Sequence, residues 1–218
     1  MAAVAGVLAG RAAYPLTSVV VAEVQERLPG LLAAARQGNA DAFTVLIRTF
    51  QAPTYRFILR MVRRAATAED LSQDVFIRLW QHMGEIESAE MLQPWLRRVA
   101  ANAVIDHWRK EDARRRRMTM LREHPIARRA LRPSSHLETR EAMRVVHAAL
   151  DALPAKLRSV LMLRTQENMS YEEVADVLGM SACAVRSRLF RARQELHRLL
   201  RQQKAPEYLA RMYQAPKA

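Results

Sequence analysis

Cysteine, glycine and strand-like patterning are all scarce in this sequence. One cysteine, Cys183, stands among 218 residues, which excludes an internal disulfide and is typical of a reducing compartment, so we expect a cytoplasmic protein. There are six glycines and few alternating apolar runs, and this pattern predicts an all-α fold. No apolar run approaches the roughly 20 residues that cross a bilayer, so no membrane insertion is expected.

Residue clusters that carry catalysis are also missing. The six histidines lie apart from one another and from Cys183, which argues against a metal site. The sequence has no glycine-rich phosphate loop and no paired carboxylates beside a histidine. We therefore expect neither enzymatic activity nor a bound cofactor.

Basic residues are in clear excess over acidic ones. Lysine and arginine number 35 and aspartate and glutamate 22, which gives a formal net charge of +13. Such an excess indicates a polyanionic partner, with nucleic acid first and an anionic membrane surface second. Hydrophobic residues make up 50% of the chain, so there is enough apolar surface to form a core.

Changes in composition divide the chain into five segments. They are an N-terminal extension (1–27), a helical domain (28–117), a basic flexible linker (118–138), a second helical domain (139–204) and a C-terminal tail (205–218). The helical pattern breaks down between residues 109 and 132, where ten basic residues stand against three acidic ones. Two interpretations of that stretch stay open, a solvated, self-repelling tether and a nucleic-acid-binding element.

Capping residues and prolines predict where the helices of the first domain begin. Gly38 ends one helix and Asn39 starts the next, which carries an apolar stripe. Pro53 and Pro94 each predict the start of a further helix. Thr67 is placed to cap another helix, between those two prolines.

The second domain contains the signals of a helix-turn-helix. Pro154 predicts a helix start, and Ser170 with Glu173 forms a capping box for the helix after it. Gly179 closes that short helix and Ser181 caps the next one. Two helices joined by a glycine-containing turn, the second of them basic, are typical of this duplex-binding motif.

The basic helix has two distinct faces. Its apolar side is formed by Val185, Leu189, Ala192 and Leu196. Its polar side is formed by Cys183, Ser187, Phe190, Arg191 and Gln194, with Arg186 beside them. Guanidinium, hydroxyl, amide and aromatic groups suit base edges, thymine methyls and phosphates in a major groove. The capping box and the turn glycine favour this interpretation over an ordinary amphipathic helix with a solvated basic side.

Three segments of the chain resemble the extracytoplasmic-function (ECF) sigma factors, the compact two-domain group of bacterial RNA polymerase specificity subunits in the sigma-70 family. They are AEDLSQDVFIRLW, PWLRRVAANAVIDHWRK and LDALPAKLRSVLMLRTQENMSYEEVADVLGMSACAVRSRLFRARQEL. They occur in the family's order, with a basic linker before the third. The resemblance implies that residues 28–117 are sigma region 2 and residues 139–204 are sigma region 4.

In region 2, the resemblance implies two sites. Asp70, Gln73, Asp74 and Arg78 would dock on the clamp of the largest subunit of core RNA polymerase.

The minus-ten set is Asn102, Arg97, Arg98 and Arg109. The asparagine would hold a base flipped from the non-template strand, the arginines would contact its phosphates, and the loop Gly84 to Gln93 would complete the pocket. Trp95 and Trp108 either stack on bases or belong to the core, and their helical spacing favours the core.

In region 4, the family's minus-thirty-five contacts fall on Arg186, Ser187, Phe190 and Arg191, on the polar side of the basic helix. The chain departs from the family at Cys183 and Ala184, where members commonly have glycine and threonine, so a hydroxyl that could bind phosphate is missing.

The resemblance predicts an alternative sigma factor that directs promoter-specific initiation, with core RNA polymerase, promoter DNA and an anti-sigma factor as partners. A stand-alone helix-turn-helix regulator is the alternative, and it would need neither of the first two segments.

Overall fold

The computed structural model describes residues 18–121 and 135–203, with side chains over 26–118 and 142–203. In these ranges the chain forms α-helices and one 3-10 turn and no strand, which confirms the all-α prediction. The helices are α1 Ser18–Arg36, α2 Ala40–Val62, α3 Ala65–Gln81, α4 Ala89–Leu121, α5 Ser135–Ala152, α6 Ala155–Gln166, α7 Tyr171–Leu178 and α8 Ala182–Gln202, and the 3-10 turn is Met83–Glu85. The C-terminal tail, the first 17 residues of the extension and linker residues 122–134 lie outside the described residues.

The chain divides into two compact units between Val104 and Ile105, a point inside α4. In the first unit α2 packs against α1 and α3. The start of α2 follows the prediction, since Gly38 has a φ of 87° and the Asn39 side chain accepts hydrogen bonds from the backbone N–H groups of Asp41 and Ala42, both at 3.0 Å. These bonds satisfy donors that the first turn of a helix leaves without partners.

The prolines of the first unit do not start helices, and those two predictions are wrong. Pro53 lies inside α2 and Pro94 lies inside α4, which begins at Ala89. Apolar residues are buried on both sides of each proline, Phe43 and Phe57 in the first case, so that tertiary packing keeps the helix continuous despite one missing N–H donor. Packing has therefore outweighed a local signal.

Two further expectations for helix ends are corrected. Thr67 is not a cap, because α3 begins at Ala65 with Arg64 in the capping position and no side-chain hydrogen bond there. The helical pattern also does not end near Arg109, because α4 continues to Leu121. Aspartate–arginine pairs one turn apart support this stretch, with Arg109 Nη1 3.0 Å from Asp106 Oδ1 and a similar pair following it.

The second unit is built around α8, which contacts α5, α6 and α7. Its buried side is Val185, Leu189, Ala192, Leu196 and Leu200. The first four are the predicted apolar face, so the orientation predicted for this helix is confirmed. The predicted start of α6 is correct to within one residue, because Pro154 stands just before the first helical residue, Ala155.

Arg158, on α6, is almost fully buried in this unit, with 2% of its surface exposed. Its Nη2 donates to the backbone carbonyl of Asp151, at the end of α5. It also donates to the backbone carbonyl of Leu153, just after α5, at 3.0 Å. Its Cζ lies 4.9 Å from the ring centroid of Trp108, which is buried, as its helical spacing favoured. A buried guanidinium thus stabilises the junction between α5 and α6.

Asp112, on α4, contacts the same junction. Its Oδ2 accepts a hydrogen bond from the backbone N–H of Ala155 at 3.2 Å, and its Oδ1 lies 3.7 Å from Arg158 Nη2. A carboxylate at a helix N-terminus satisfies a backbone donor and interacts favourably with the helix dipole. The second half of α4 therefore belongs to the polar network that fixes the start of α6.

The capping box predicted for α7 is present. The Ser170 hydroxyl accepts from the backbone N–H of Glu173 at 3.0 Å, and the Glu173 carboxylate accepts from the backbone N–H of Ser170 at 2.6 Å. Gly179 ends the helix with a φ of 61°, a conformation that suits glycine, and Ser181 caps α8 through a bond from the N–H of Ala184. These local contacts define the turn between α7 and α8.

We expect Ser170→Ala to lower the free energy of unfolding by about 1 kcal/mol, because it removes a cap that no other side chain replaces. Urea-induced unfolding of the full chain, followed by circular dichroism, measures this change. Ser170→Asp is the matched control, since aspartate accepts the same bond and should leave stability close to that of the parent. A loss in both variants of equal size would contradict the capping role.

Candidate nucleic-acid interface

The polar side of α8 forms the first candidate surface. Its four predicted minus-thirty-five residues, Arg186, Ser187, Phe190 and Arg191, are all exposed. Phe190 is 39% exposed although it is aromatic, so the fold leaves this ring at the surface beside guanidinium groups. An exposed ring among arginines can contact a thymine methyl while the arginines reach bases or phosphates.

Arg186 is held from the neighbouring helix, α7. Its Cζ lies 5.2 Å from the ring centroid of Tyr171, and its Nη2 lies 3.8 Å from Glu172 Oε1. Arg164, on α6, lies over the same ring at 5.1 Å. Sequence reasoning did not identify Tyr171, and the available signal was an aromatic residue directly after the capping serine of α7.

The remaining arginines of α8 differ in what they contact. Arg191 Nε donates to the carbonyl of Ser187 at 3.4 Å, which keeps its side chain along the exposed face. Arg198 donates through Nε and Nη2 to both carboxylate oxygens of Glu195, at 2.8 and 2.6 Å, and this hydrogen bonding lowers the pKa of Glu195 below its usual value. Arg198 is therefore paired with a carboxylate of its own helix. Arg191 contacts a backbone carbonyl and remains exposed on the candidate surface.

The exposed face of α4 forms the second candidate surface. Arg98 and Asn102 lie about 40° apart around the helix axis, at about 100° per residue, and Arg109 follows in the part of α4 that belongs to the second unit. All three side chains are exposed. Arg97 is exposed as well, but it points about 100° or more away from Arg98 and Asn102. On this spacing Arg98 and Asn102 share one side of the first-unit part of α4, and Arg97 lies on another side.

The segment before this face is more helical than predicted. Most of the expected loop Gly84 to Gln93 belongs to the 3-10 turn or to α4. His82 Nδ1 lies 2.7 Å from Glu85 Oε1, and the His82 ring centroid lies 6.5 Å from that of Trp95. Trp95 is half-buried, so it is not fully part of the core, which its helical spacing had favoured.

The polar face of α3 forms a third surface. Its members are exposed, and they are Asp70, Gln73, Asp74 and Arg78. Val75 and Leu79 of the same helix are fully buried, so these four side chains project from the side opposite to the core. An exposed helix face with two carboxylates is suited to a basic protein partner.

Two findings concern other kinds of site. Within the described residues, no three histidine, cysteine, aspartate or glutamate side chains are grouped so that they could hold a metal ion. Over the same ranges, no helix combines the length and the apolar character that a membrane span requires.

Two family profiles match the chain. The profile described as Sigma-70 region 2 matches residues 46–114, and the profile described as Sigma-70, region 4 matches residues 143–196. The first match contains the exposed faces of α3 and α4, and the second contains α7 and most of α8.

Two curated relatives are similar to this chain over most of their length. The RNA polymerase sigma-H factor of Pseudomonas aeruginosa is 30% identical over 183 residues, which span 81% of this chain and 95% of the relative. The ECF RNA polymerase sigma factor SigW of Bacillus subtilis is 26% identical over 175 residues, which span 76% of this chain and 92% of the relative. Among solved structures, CnrH in complex with the cytosolic domain of CnrY matches with a TM-score of 0.53 and 25% identity, over 80% of this chain and 97% of that chain.

Proposed function

Since the chain belongs to the sigma-70 family as an ECF sigma factor, we propose that its exposed faces divide the work of promoter recognition between them. Its function is promoter-directed transcription initiation as a specificity subunit of RNA polymerase. The observation that carries this conclusion is the presence of both sigma regions, in order, in one chain. A stand-alone regulator is not favoured, because duplex binding by α7 and α8 needs no region 2.

The exposed side of α8 reads the minus-thirty-five element as duplex DNA. This role is supported by the exposure of Arg186, Ser187, Phe190 and Arg191 on one face, opposite to the buried side of the helix. The turn at Gly179 and the cap at Ser181 fix the start of α8, so that these side chains enter the major groove from its first turns.

The exposed side of α4 captures the opened minus-ten element. Asn102 offers an amide that can pair with the edge of a flipped base, and the exposed guanidinium groups of Arg98 and Arg109 are available to the phosphates of that strand. Arg97 remains a proposed phosphate contact. Because it projects from another side of α4 than Asn102, it would contact phosphates away from the flipped base.

The polar side of α3 binds core polymerase. The proposed contacts, Asp70, Gln73, Asp74 and Arg78, are exposed together while the opposite side of the helix is buried. We further propose that an anti-sigma factor competes for this surface. A protein partner for this chain is supported by the similar protein CnrH, which was solved in complex with the cytosolic domain of CnrY. The chain acts in the cytoplasm, without catalysis of its own.

Run-off transcription tests the function as a whole. Bacterial core RNA polymerase is combined with the purified chain and a fragment library of the genome that encodes the chain, and transcript starts are mapped. Binding of the chain to the core enzyme is measured in parallel. New starts that share two upstream elements are the expected result. Tight duplex binding with neither core binding nor transcription would instead indicate a stand-alone regulator.

We expect the double substitution Asp70→Lys and Asp74→Lys to weaken binding to core polymerase roughly tenfold, because it reverses the charge of a face that meets a basic partner. Fluorescence anisotropy with labelled chain and core enzyme measures the affinity. Glu69→Lys is the matched control, since Glu69 is an exposed acid of the same helix that points about 100° or more away from that pair. Glu69→Lys changes the charge half as much as the double variant does, so a loss of binding free energy half as large would show a general charge effect and contradict a defined docking face.

A further inference from the structure

The ring of Tyr171 contacts two arginine side chains from different helices. Tyr171 is the first residue of α7, and its half-buried ring has Arg164 of α6 at 5.1 Å and Arg186 of α8 at 5.2 Å, measured from Cζ to the ring centroid. Each contact is within the distance at which an aromatic face attracts a cation. Through these two contacts the ring of Tyr171 connects α8 with α6.

The two arginines are not equivalent. Arg164 Nη1 donates to the backbone carbonyl of Met169 at 2.8 Å, so this guanidinium is fixed to the segment that precedes α7. The guanidinium is thereby fixed next to the ring. Arg186 lies on the exposed face of α8, where its guanidinium is directed by the ring and by the nearby carboxylate of Glu172.

The ring is the less exposed of these two neighbours of Arg186. Glu172 and Arg186 side chains are 68% and 60% exposed and their atoms are 3.8 Å apart, so water and salt screen this ion pair. The ring is half-buried, and the capping box at Ser170 fixes the backbone next to it. An anchored ring can restrict the guanidinium whether or not salt is present.

We propose that Tyr171 is a positioning residue for Arg186, holding its guanidinium in the orientation that reads a base edge of the minus-thirty-five element. This inference rests on the proposed role of α8. An arginine reads guanine through two parallel hydrogen bonds, and this geometry depends on the direction of the guanidinium plane. A side chain already restricted in the free protein loses less conformational freedom when it binds. The aromatic ring performs this task, and the hydroxyl of Tyr171 is not required.

The test uses holoenzyme formed from the full chain and bacterial core polymerase on a template library with randomised upstream base pairs. Sequencing the transcribed templates gives the base preference at each position. The Arg186→Ala variant identifies the pair read by Arg186, where its preference is lost. Tyr171→Leu and Tyr171→Met are each expected to reduce the preference at that same pair roughly two- to fivefold, and Tyr171→Phe to retain it.

Two readouts separate positioning from a structural role. The preferences lost in Arg191→Ala should be unchanged in Tyr171→Leu, and the thermal unfolding of Tyr171→Leu should show a folded protein at the assay temperature. The inference is overturned if preference at the Arg186 pair persists without the ring, or if all upstream preferences fall together. If Arg186→Ala changes no base preference, the proposed role of Arg186 in reading DNA fails, and the inference about Tyr171 fails with it. If Arg186→Ala changes a preference and Tyr171→Leu does not, only the inference about Tyr171 fails.

Discussion

Replacing Arg158 with alanine is expected to lower the free energy of unfolding by about 3 to 5 kcal/mol, the range found when one partner of a buried charged network is removed. The substitution takes away the donors to the carbonyls of Asp151 and Leu153 and the cation above Trp108. It also leaves a cavity where a nearly fully buried side chain had packed. Urea-induced unfolding of the full chain measures the loss.

Arg115 provides the matched control for Arg158. Both arginines approach the carboxylate of Asp112, with Arg115 Nη2 at 2.6 Å and Arg158 Nη2 at 3.7 Å, but the Arg115 side chain is 48% exposed. Exposed ion pairs contribute little, so Arg115→Ala should cost less than about 1 kcal/mol. If the two variants lose the same amount, burial is not what makes Arg158 important, and the network has been misinterpreted.

Arg158 also shows where sequence reasoning stops. In LPAKLRSVLMLR an arginine suggests a solvated position, because a charged side chain is rarely buried without partners. Its partners come from the end of α5 and from Asp112 on α4, which no spacing rule connects to it. Contacts made across the fold, rather than along one helix, were therefore not predictable from the pattern of residues.

Local signals were reliable where the contact itself is local. The capping box of Ser170 and Glu173 and the turn at Gly179 each depend on backbone atoms within a few residues, and the structure contains them. Pro53 and Pro94 were equally clear signals and they misled, because burial on both sides of a proline can keep a helix intact. A proline's effect depends on tertiary packing that the sequence pattern does not specify.

The candidate site was also predicted where it depends on the periodicity of one helix, and missed where it depends on contacts between helices. Helical periodicity alone placed Arg186 and Phe190 on the exposed side of α8, as the structure has them. The minus-ten set came from resemblance, and helical spacing groups Asn102 with Arg98 but not with Arg97. The contact between Tyr171 and Arg186 joins two helices, and it was missed for the same reason as Arg158.

We expect Asn102→Ala to reduce transcription from a duplex promoter roughly 10- to 100-fold, the range for losing one well-placed side-chain contact to a base. Flipping a base costs a few kcal/mol of stacking, and contacts to the edge of the base have to offset that cost. Single-round run-off transcription measures the loss. Arg97→Ala, which removes an exposed side chain on another side of α4, is the comparison and should have the smaller effect.

Template changes show whether the effect of Asn102 passes through the flipped base. Substituting the base proposed to be held by Asn102 should reduce transcription by the parent protein but add little to the defect of Asn102→Ala, because both changes would remove the same contact. A template already unpaired at the minus-ten element should shrink the defect, since the unstacking cost is then absent. Additive losses on every template would contradict capture of a base by Asn102, and would leave the α4 face as a phosphate-binding surface that owes its affinity to Arg98 and Arg109.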